Sequence, residues 1–196
     1  CVNFAEGQQV NLMLSMSHIP SRIGTSGFAC TEQVQAGDGF AAQRLSTYLS
    51  PLGCSLDADA FRLALPSQEL EEARSSQPPG DGPMLILAPS SEDQDWPPER
   101  WLALPKSIST RLATLRSSTL DPGLPMRRRA AAVACADVIL SSCAMTQRLA
   151  VYCGIPLVAL GATPTDFPPR GDIRCLGVRS DLASLTEQEV LDALGF

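Results

Sequence analysis

In the second half of the chain, short uninterrupted apolar runs alternate with amphipathic stretches, and this alternation points to a fold class. Met84-Leu85-Ile86-Leu87-Ala88 is of strand length and apolar throughout, as a strand buried on both faces requires. Asp137 to Leu140, Ile155 to Leu160 and Ile173 to Val178 repeat the pattern. Pro97-Pro98-Glu99-Arg100 opens a helix that Asp95 can cap, because proline costs nothing in a first turn with spare N–H groups. Another helix is expected from Ala144 to Cys153, ending at Gly154, a residue suited to the left-handed C-terminal position. Ser184-Leu185-Thr186-Glu187 reads as a capping box opening the last helix. Strands and helices in strict alternation predict a parallel, doubly wound α/β sheet.

The first half is less regular. Val2 to Ala5 reads as a strand end, Glu6-Gly7 as a turn, and Gln8 to Ser17 as a helix stopped by Pro20. Arg22-Ile23-Gly24 and Gly27-Phe28-Ala29 are extended pieces, and Phe40 to Leu52 is an amphipathic helix closed by Gly53. Phe61 to Leu65 alternates weakly up to Pro66, and Gln68 to Ala73 forms a charged helix running into a Ser/Pro/Gly-rich stretch over 75–83. The predicted organisation is an N-terminal α/β domain over 1–66, a linker over 67–82 and a C-terminal domain over 83–196. Because the sequence enters at Cys1 inside a strand-like run, the N-terminal domain is expected to be incomplete.

Composition adds exclusions. The 196 residues are 44% apolar and 18% charged, ordinary values for a globular protein. A formal charge of -6 argues against a nucleic-acid partner, although a helix N-terminus can still bind phosphate on an acidic protein. The seven cysteines form no CxxC pair and sit mostly in apolar runs, which implies reduced thiols in a cytoplasmic protein and no metal centre. No apolar stretch reaches the roughly 18 residues of a membrane span.

In doubly wound sheets, ligands bind beyond the carboxyl ends of the strands. Two loops qualify here. Pro89 to Asp95 carries Ser90 and Ser91 but also Glu92, Asp93 and Asp95, which repel an anion. Ser141 to Thr146 places hydroxyls and free N–H groups at a helix start suited to a diphosphate; the plainer alternative makes Ser142 a helix cap. Arg127-Arg128-Arg129 reads as a solvated face or a contact with phosphate or an acidic membrane surface, and His18, the single histidine, as a structural or surface residue rather than a catalytic base.

These residues resemble glycosyltransferase family 9, the ADP-heptose:lipopolysaccharide heptosyltransferases. Trp96-Pro97-Pro98-Glu99-Arg100-Trp101 is similar to the family's KRWPPERF segment. Ala136 to Ser142, Leu149-Ala150 and Gly154 to Gly161 follow its ADLVISNDTGPMHLAAALGVPVVALFG segment. Thr163-Pro164-Thr165 stands at its GPT turn, and Arg22-Ile23-Gly24 at its RIGF. The resemblance implies a GT-B-like architecture of two Rossmann-like, doubly wound domains facing a cleft. It further implies metal-independent, inverting transfer of a heptose or hexose, without cofactor. The sugar would pass from a nucleotide-diphosphate donor, ADP-linked among them, to an envelope polysaccharide or lipopolysaccharide acceptor at the cytoplasmic face of the inner membrane.

Departures from the family pattern qualify this. The acidic residue of the donor motif falls on Cys143, the next hydroxyl on Ala144, the glycine on Met145 and the histidine on Arg148. Gln94 and Asp95 replace the basic residues before the tryptophan, and the stretch between Trp101 and Asp121 is short, as if a strand or loop were missing. Donor binding then falls to Ser90, Ser91, Ser141, Ser142 and Thr146, with Arg148 as a substitute cation. The general base is expected upstream of residue 1, with Glu6 as a lesser candidate. The competing expectation is a catalytically degenerate relative that binds or scaffolds; a sugar-nucleotide epimerase ranks last, since His18 lies in the wrong half.

Overall fold

A computed structural model describes residues 1–4, 8–25, 28–35, 39–57, 62–90 and 94–196. The chain divides into two compact units, Cys1–Phe61 and Arg62–Phe196. The expected turn at Glu6-Gly7 lies outside the described residues, as does Gly27 of the extended piece Gly27-Phe28-Ala29.

The first unit holds three parallel two-residue strands, β1 (Val2–Asn3), β2 (Ile23–Gly24) and β3 (Glu32–Gln33), in the order β1-β2-β3. Its helices are α1 (Gln8–Met16) and α2 (Ala41–Leu49). The sequence predicts α2 as running on to Leu52. Instead Pro51, which lacks an N–H, turns Ser50–Leu52 into a tighter 3-10 turn, closed by Gly53 at φ +69°. Arg22-Ile23-Gly24 earns its place locally. The Arg22 guanidinium donates to the carbonyls of Ile19 and Ala29, Ile23 is buried, and any Cβ at Gly24 would lie 2.7 Å from the Cys30 sulfur.

The second unit begins with α3 (Ser67–Ser75) and then alternates β4 (Met84–Ala88), α4 (Pro98–Ser109), β5 (Arg116–Thr119), α5 (Met126–Ala134) and β6 (Val138–Ser141). It continues with α6 (Ala144–Cys153), β7 (Leu157–Leu160), β8 (Ile173–Leu176) and α7 (Glu187–Leu194). All five strands are parallel, in the order β5-β4-β6-β7-β8. Every residue of β4 is buried, as its apolar run predicts. Successive side chains alternate between faces, so Leu85, Leu87, Leu140, Val158 and Leu160 pack with Trp101, Leu104 and Ile108 of α4 and Val190 and Leu191 of α7. Helices α5 and α6 pack together, with α3 against α5. The doubly wound α/β reading therefore holds.

Several local expectations change. The 62–66 stretch is not a strand; the Leu63 N–H donates to the Tyr152 carbonyl at 2.8 Å. Helix α3 belongs to the second unit, where Glu69 meets Arg127 at 2.6 Å and the Leu70 carbonyl faces the Cys135 sulfur. Asp95 does not cap α4, because Pro97 occupies the cap position; its carboxylate accepts the adjacent Trp96 N–H at 2.7 Å. The capping box before α7 is Thr186 with Glu189, two residues later than Ser184 with Glu187, because Ser184 closes a 3-10 segment and Leu185 turns inward as an extended, buried residue. Strand β5, Arg-Ser-Ser-Thr, has no apolar signature at all; it pairs directly with β4 along the open edge.

The Trp-Pro-Pro-Glu-Arg-Trp segment is a structural lock. Trp96 is fully buried, its indole N–H donates to the Leu185 carbonyl at 2.8 Å, and its ring meets Trp101 edge to face at 5.2 Å. Arg100 donates to the Ala183 and Leu185 carbonyls, so α4 is tied to the turn that precedes α7.

Candidate functional site

In chain order the sheet reads 2-1-3-4-5, and the direction of winding reverses between β4 and β6. Loops after two such strands diverge to opposite faces and leave a crevice at their carboxyl ends, where ligands of this fold class bind. The loops concerned are those after Ala88 and after Ser141.

Side-chain bonds hold this point tightly. Ser141 Oγ donates to the Ala88 carbonyl at 2.9 Å and accepts the Cys143 N–H at 3.0 Å. Ser142 Oγ accepts the Ser90 N–H at 2.8 Å. Gln147 donates to the carbonyls of Ser141 at 2.8 Å and Leu160 at 3.0 Å, bracing α6 against β6 and β7. Ser141, Ser142, Thr146 and Gln147 are all buried. The expectation that the hydroxyls of this loop face outward is therefore corrected: Ser141 and Ser142 spend theirs joining the two strand ends. Nor is Ser142 the helix cap, which is Cys143. Ser91, Glu92, Asp93 and Glu6 lie outside the described residues.

What remains open to solvent is the head of α6 itself. Ala144, Met145 and Arg148 are exposed, and Cys143 is half-buried. Arginines converge there. Arg129 Nη1 lies 3.8 Å from the Cys143 sulfur while its Nη2 donates to the Pro122 carbonyl in the loop after β5. Arg179, following β8, reaches the Ser142 carbonyl at 3.5 Å. Arg148 and Arg179 both act on Asp166 in the loop after β7. The N–H and hydroxyl of Thr163, aided by these two guanidiniums, hold the Asp166 carboxyl below the usual range. Among the described residues, Arg129, Arg148 and Arg179 thus lie with Asp166 about the positive end of the α6 dipole.

Arg129 and Arg179 escape sequence reading. Arg129 is the third of three consecutive arginines, and nothing in the run marks it as the one turned inward; Arg127 pairs with Glu69 and Arg128 is exposed. Arg179 carried an available signal, since it follows the Ile173 to Val178 run and so belongs at the carboxyl edge with the other loops. His18 is exposed, in the first unit. The described residues bring no three His, Cys, Asp or Glu side chains together at metal-binding spacing, and contain no helix long and apolar enough to cross a membrane.

A five-stranded parallel sheet with arginines about the head of α6 defines a doubly wound α/β protein. Its fold is that of the family 9 glycosyltransferases. A glycosyl transferase family 9 structure from Veillonella parvula matches 98% of this chain and 71% of its own, with a TM-score of 0.69 and 15% identity. The ADP-heptose lipopolysaccharide heptosyltransferase II of E. coli matches 98% and 74%, with a TM-score of 0.66 and 16% identity. The E. coli heptosyltransferase WaaC, solved with ADP-2-deoxy-2-fluoro heptose, matches 89% and 64%, with a TM-score of 0.58 and 14% identity. No family model and no curated protein sequence matches the chain.

Proposed function

We propose that this chain binds a nucleoside-diphosphate sugar at the head of α6 and belongs to a glycosyltransferase that passes the sugar to a saccharide acceptor. The observation that carries the reading is the meeting of Arg129, Arg148 and Arg179 at the sheet's switch point. Transfer from a nucleotide diphosphate needs the charge of the departing diphosphate neutralised. Here the guanidiniums and the positive end of the α6 dipole supply that, in place of the lysine absent from the loop before Trp96. Such neutralisation by fixed cations suits a metal-independent mechanism, and inverting transfer rests on the family resemblance alone. A donor of the ADP-heptose type is supported by the fold shared with enzymes solved with, or named for, that donor. The acceptor class that follows is a lipopolysaccharide or other envelope saccharide, met at the cytoplasmic face of the inner membrane. Ser90 and Ser142 hold the loops and Arg148 flanks the diphosphate, while Thr146 is wholly buried and offers it no contact.

A second reading, a sugar-nucleotide-binding relative without turnover, is favoured by one observation: Cys143 stands where the family has its acidic residue, and Ser141 and Ser142 are engaged internally. Calorimetric titration with ADP and UDP, followed by incubation with ADP- and UDP-sugars and a saccharide acceptor, separates the two. Binding lost in an Arg129→Ala/Arg179→Ala double variant supports the site. Release of nucleoside diphosphate dependent on acceptor supports the enzyme over the binding protein. No binding by either nucleotide would overturn both.

A further inference from the structure

Strand β5 ends the second unit's sheet, and its outer side is bare. The Arg116 N–H donates to the Pro83 carbonyl at 2.9 Å and the Leu120 N–H to the Leu87 carbonyl at 2.8 Å; at the two-residue period of a strand, Ser118 also faces β4. Ser117 and Thr119 therefore turn their N–H and carbonyl groups outward, and among the described residues no strand meets them. Sheet edges are commonly guarded by proline, a bulge or a charge laid across them. Here there is no proline or lysine, and the one charge is folded back: Arg116 Nε donates to the Gly82 carbonyl at 2.7 Å and Nη1 to the Pro78 carbonyl at 3.3 Å. Thr119 is exposed, and Ser117 and Ser118 are half-buried.

Charge beside this edge selects its partner. A cavity of about 780 Å³ lies between α3, α5 and β5. Glu69, which pairs with Arg127, lines it together with Glu71, Glu72 and Asp121, against Arg128 alone. Arg74 and Arg116 line a smaller cavity of about 380 Å³ at the amino end of β5, where the Asp137 carboxylate is taken up by the Met84 N–H at 2.7 Å. The edge is thus basic where β5 begins and acidic beyond its end at Asp121. A second copy set antiparallel against it brings acidic end to basic end twice over, whereas a parallel setting opposes like charges.

We propose that β5 pairs antiparallel with β5 of a second copy about a two-fold axis at Ser118, joining the five strands of each copy into one continuous sheet. In that register Ser117 exchanges both backbone hydrogen bonds with Thr119 of the second copy, and Thr119 with its Ser117, so every outward group of the two residues is used. The axis stands perpendicular to the sheet, so the two α3 helices lie on one face with their ends reversed. Short strands and exposed charges make this a weak, concentration-dependent dimer. It rests on β5 and α3, and holds whether or not the chain binds a nucleotide.

Sedimentation velocity of the full chain over a dilution series should show the mass double as concentration rises, more readily in low salt than in high, because the end charges are exposed. Residue-resolved amide exchange should find Ser117 and Thr119 slowed only in the dimer, and Ser118 and Leu120 slow at every concentration. Thr119→Pro deletes an outward N–H without touching the bonds to β4, and should weaken the dimer at least about tenfold, with circular dichroism confirming the fold. Glu71→Arg should weaken it as well, and Glu71→Arg/Arg74→Glu should restore part of the loss. A monomer up to the solubility limit overturns the proposal, and so does a dimer that protects β8 instead of β5. Ser117 and Thr119 protected in a monomer would mean that the chain covers its own edge, which also overturns it. Should Thr119→Pro fail to fold, the exchange pattern of the unaltered chain decides. A charge swap without recovery overturns the antiparallel setting.

Discussion

Ser142 Oγ accepts the backbone N–H of Ser90 at 2.8 Å, and this bond joins the loop after β4 to the loop after β6 across the point where the sheet reverses its winding. Ser142 is buried, so the hydroxyl has no water to replace its partner. Ser142→Ala should cost about 1–2 kcal/mol by urea denaturation, because it leaves the Ser90 N–H without an acceptor. It should also weaken ADP binding through loss of the loop's position, which calorimetry would detect.

Gly161, at φ +70°, brings its backbone against Arg179, and a Cβ there would lie 3.0 Å from the Arg179 Cα. Gly161→Ala should destabilise the chain by about 1–2 kcal/mol from left-handed strain. Displacement of Arg179 should lower ADP affinity as well. Stability lost with affinity unchanged would remove Arg179 from the site.

Trp96→Phe keeps most of the buried ring and removes the indole N–H that reaches Leu185. Arg100 still serves that carbonyl, so a loss of about 1–2 kcal/mol is expected. Trp96→Ala should cost about 3–5 kcal/mol, because it also opens a cavity between α4 and the turn before α7. Urea melts of the two variants, followed by circular dichroism, should differ by that margin.

Among the described residues, three carboxyls are held below their ordinary values: Asp172 by its bond to Arg170, Asp166 by Thr163, and Glu189 by Thr186. A depressed folded value stabilises above the unfolded one, and that stabilisation is lost as pH falls through the folded value. Urea midpoints should therefore hold steady down to about pH 5 and drop below about pH 4. Arg170→Ala should flatten part of that fall. A midpoint that rises on acidification would contradict the assignment.

Much of this was legible in the residues. Unbroken apolar runs such as Met84 to Ala88 gave the buried strands, because a strand covered on both faces has no polar side to show. Gly154 closed α6 at φ +75° where the sequence placed it, and the Trp96 to Trp101 and Gly154 to Gly161 segments pointed to the fold that the solved structures share. Strand β5 was not legible: at the open edge of a parallel sheet, Arg116 to Thr119 is held by backbone bonds to β4 and needs no apolar pattern. Similarly, Ser141 and Ser142 were visible as hydroxyls at a strand end, but only their three-dimensional neighbours turned them inward.

Local chemistry written in the chain decided where strands, helices and their caps begin and end, since each depends on residues a few positions apart. The tertiary structure alone decided that Arg129, from one helix, and Arg179, beyond the last strand, meet the head of α6. Nothing nearby in sequence links those three segments; the pairing of β4, β6, β7 and β8 brings them to one edge.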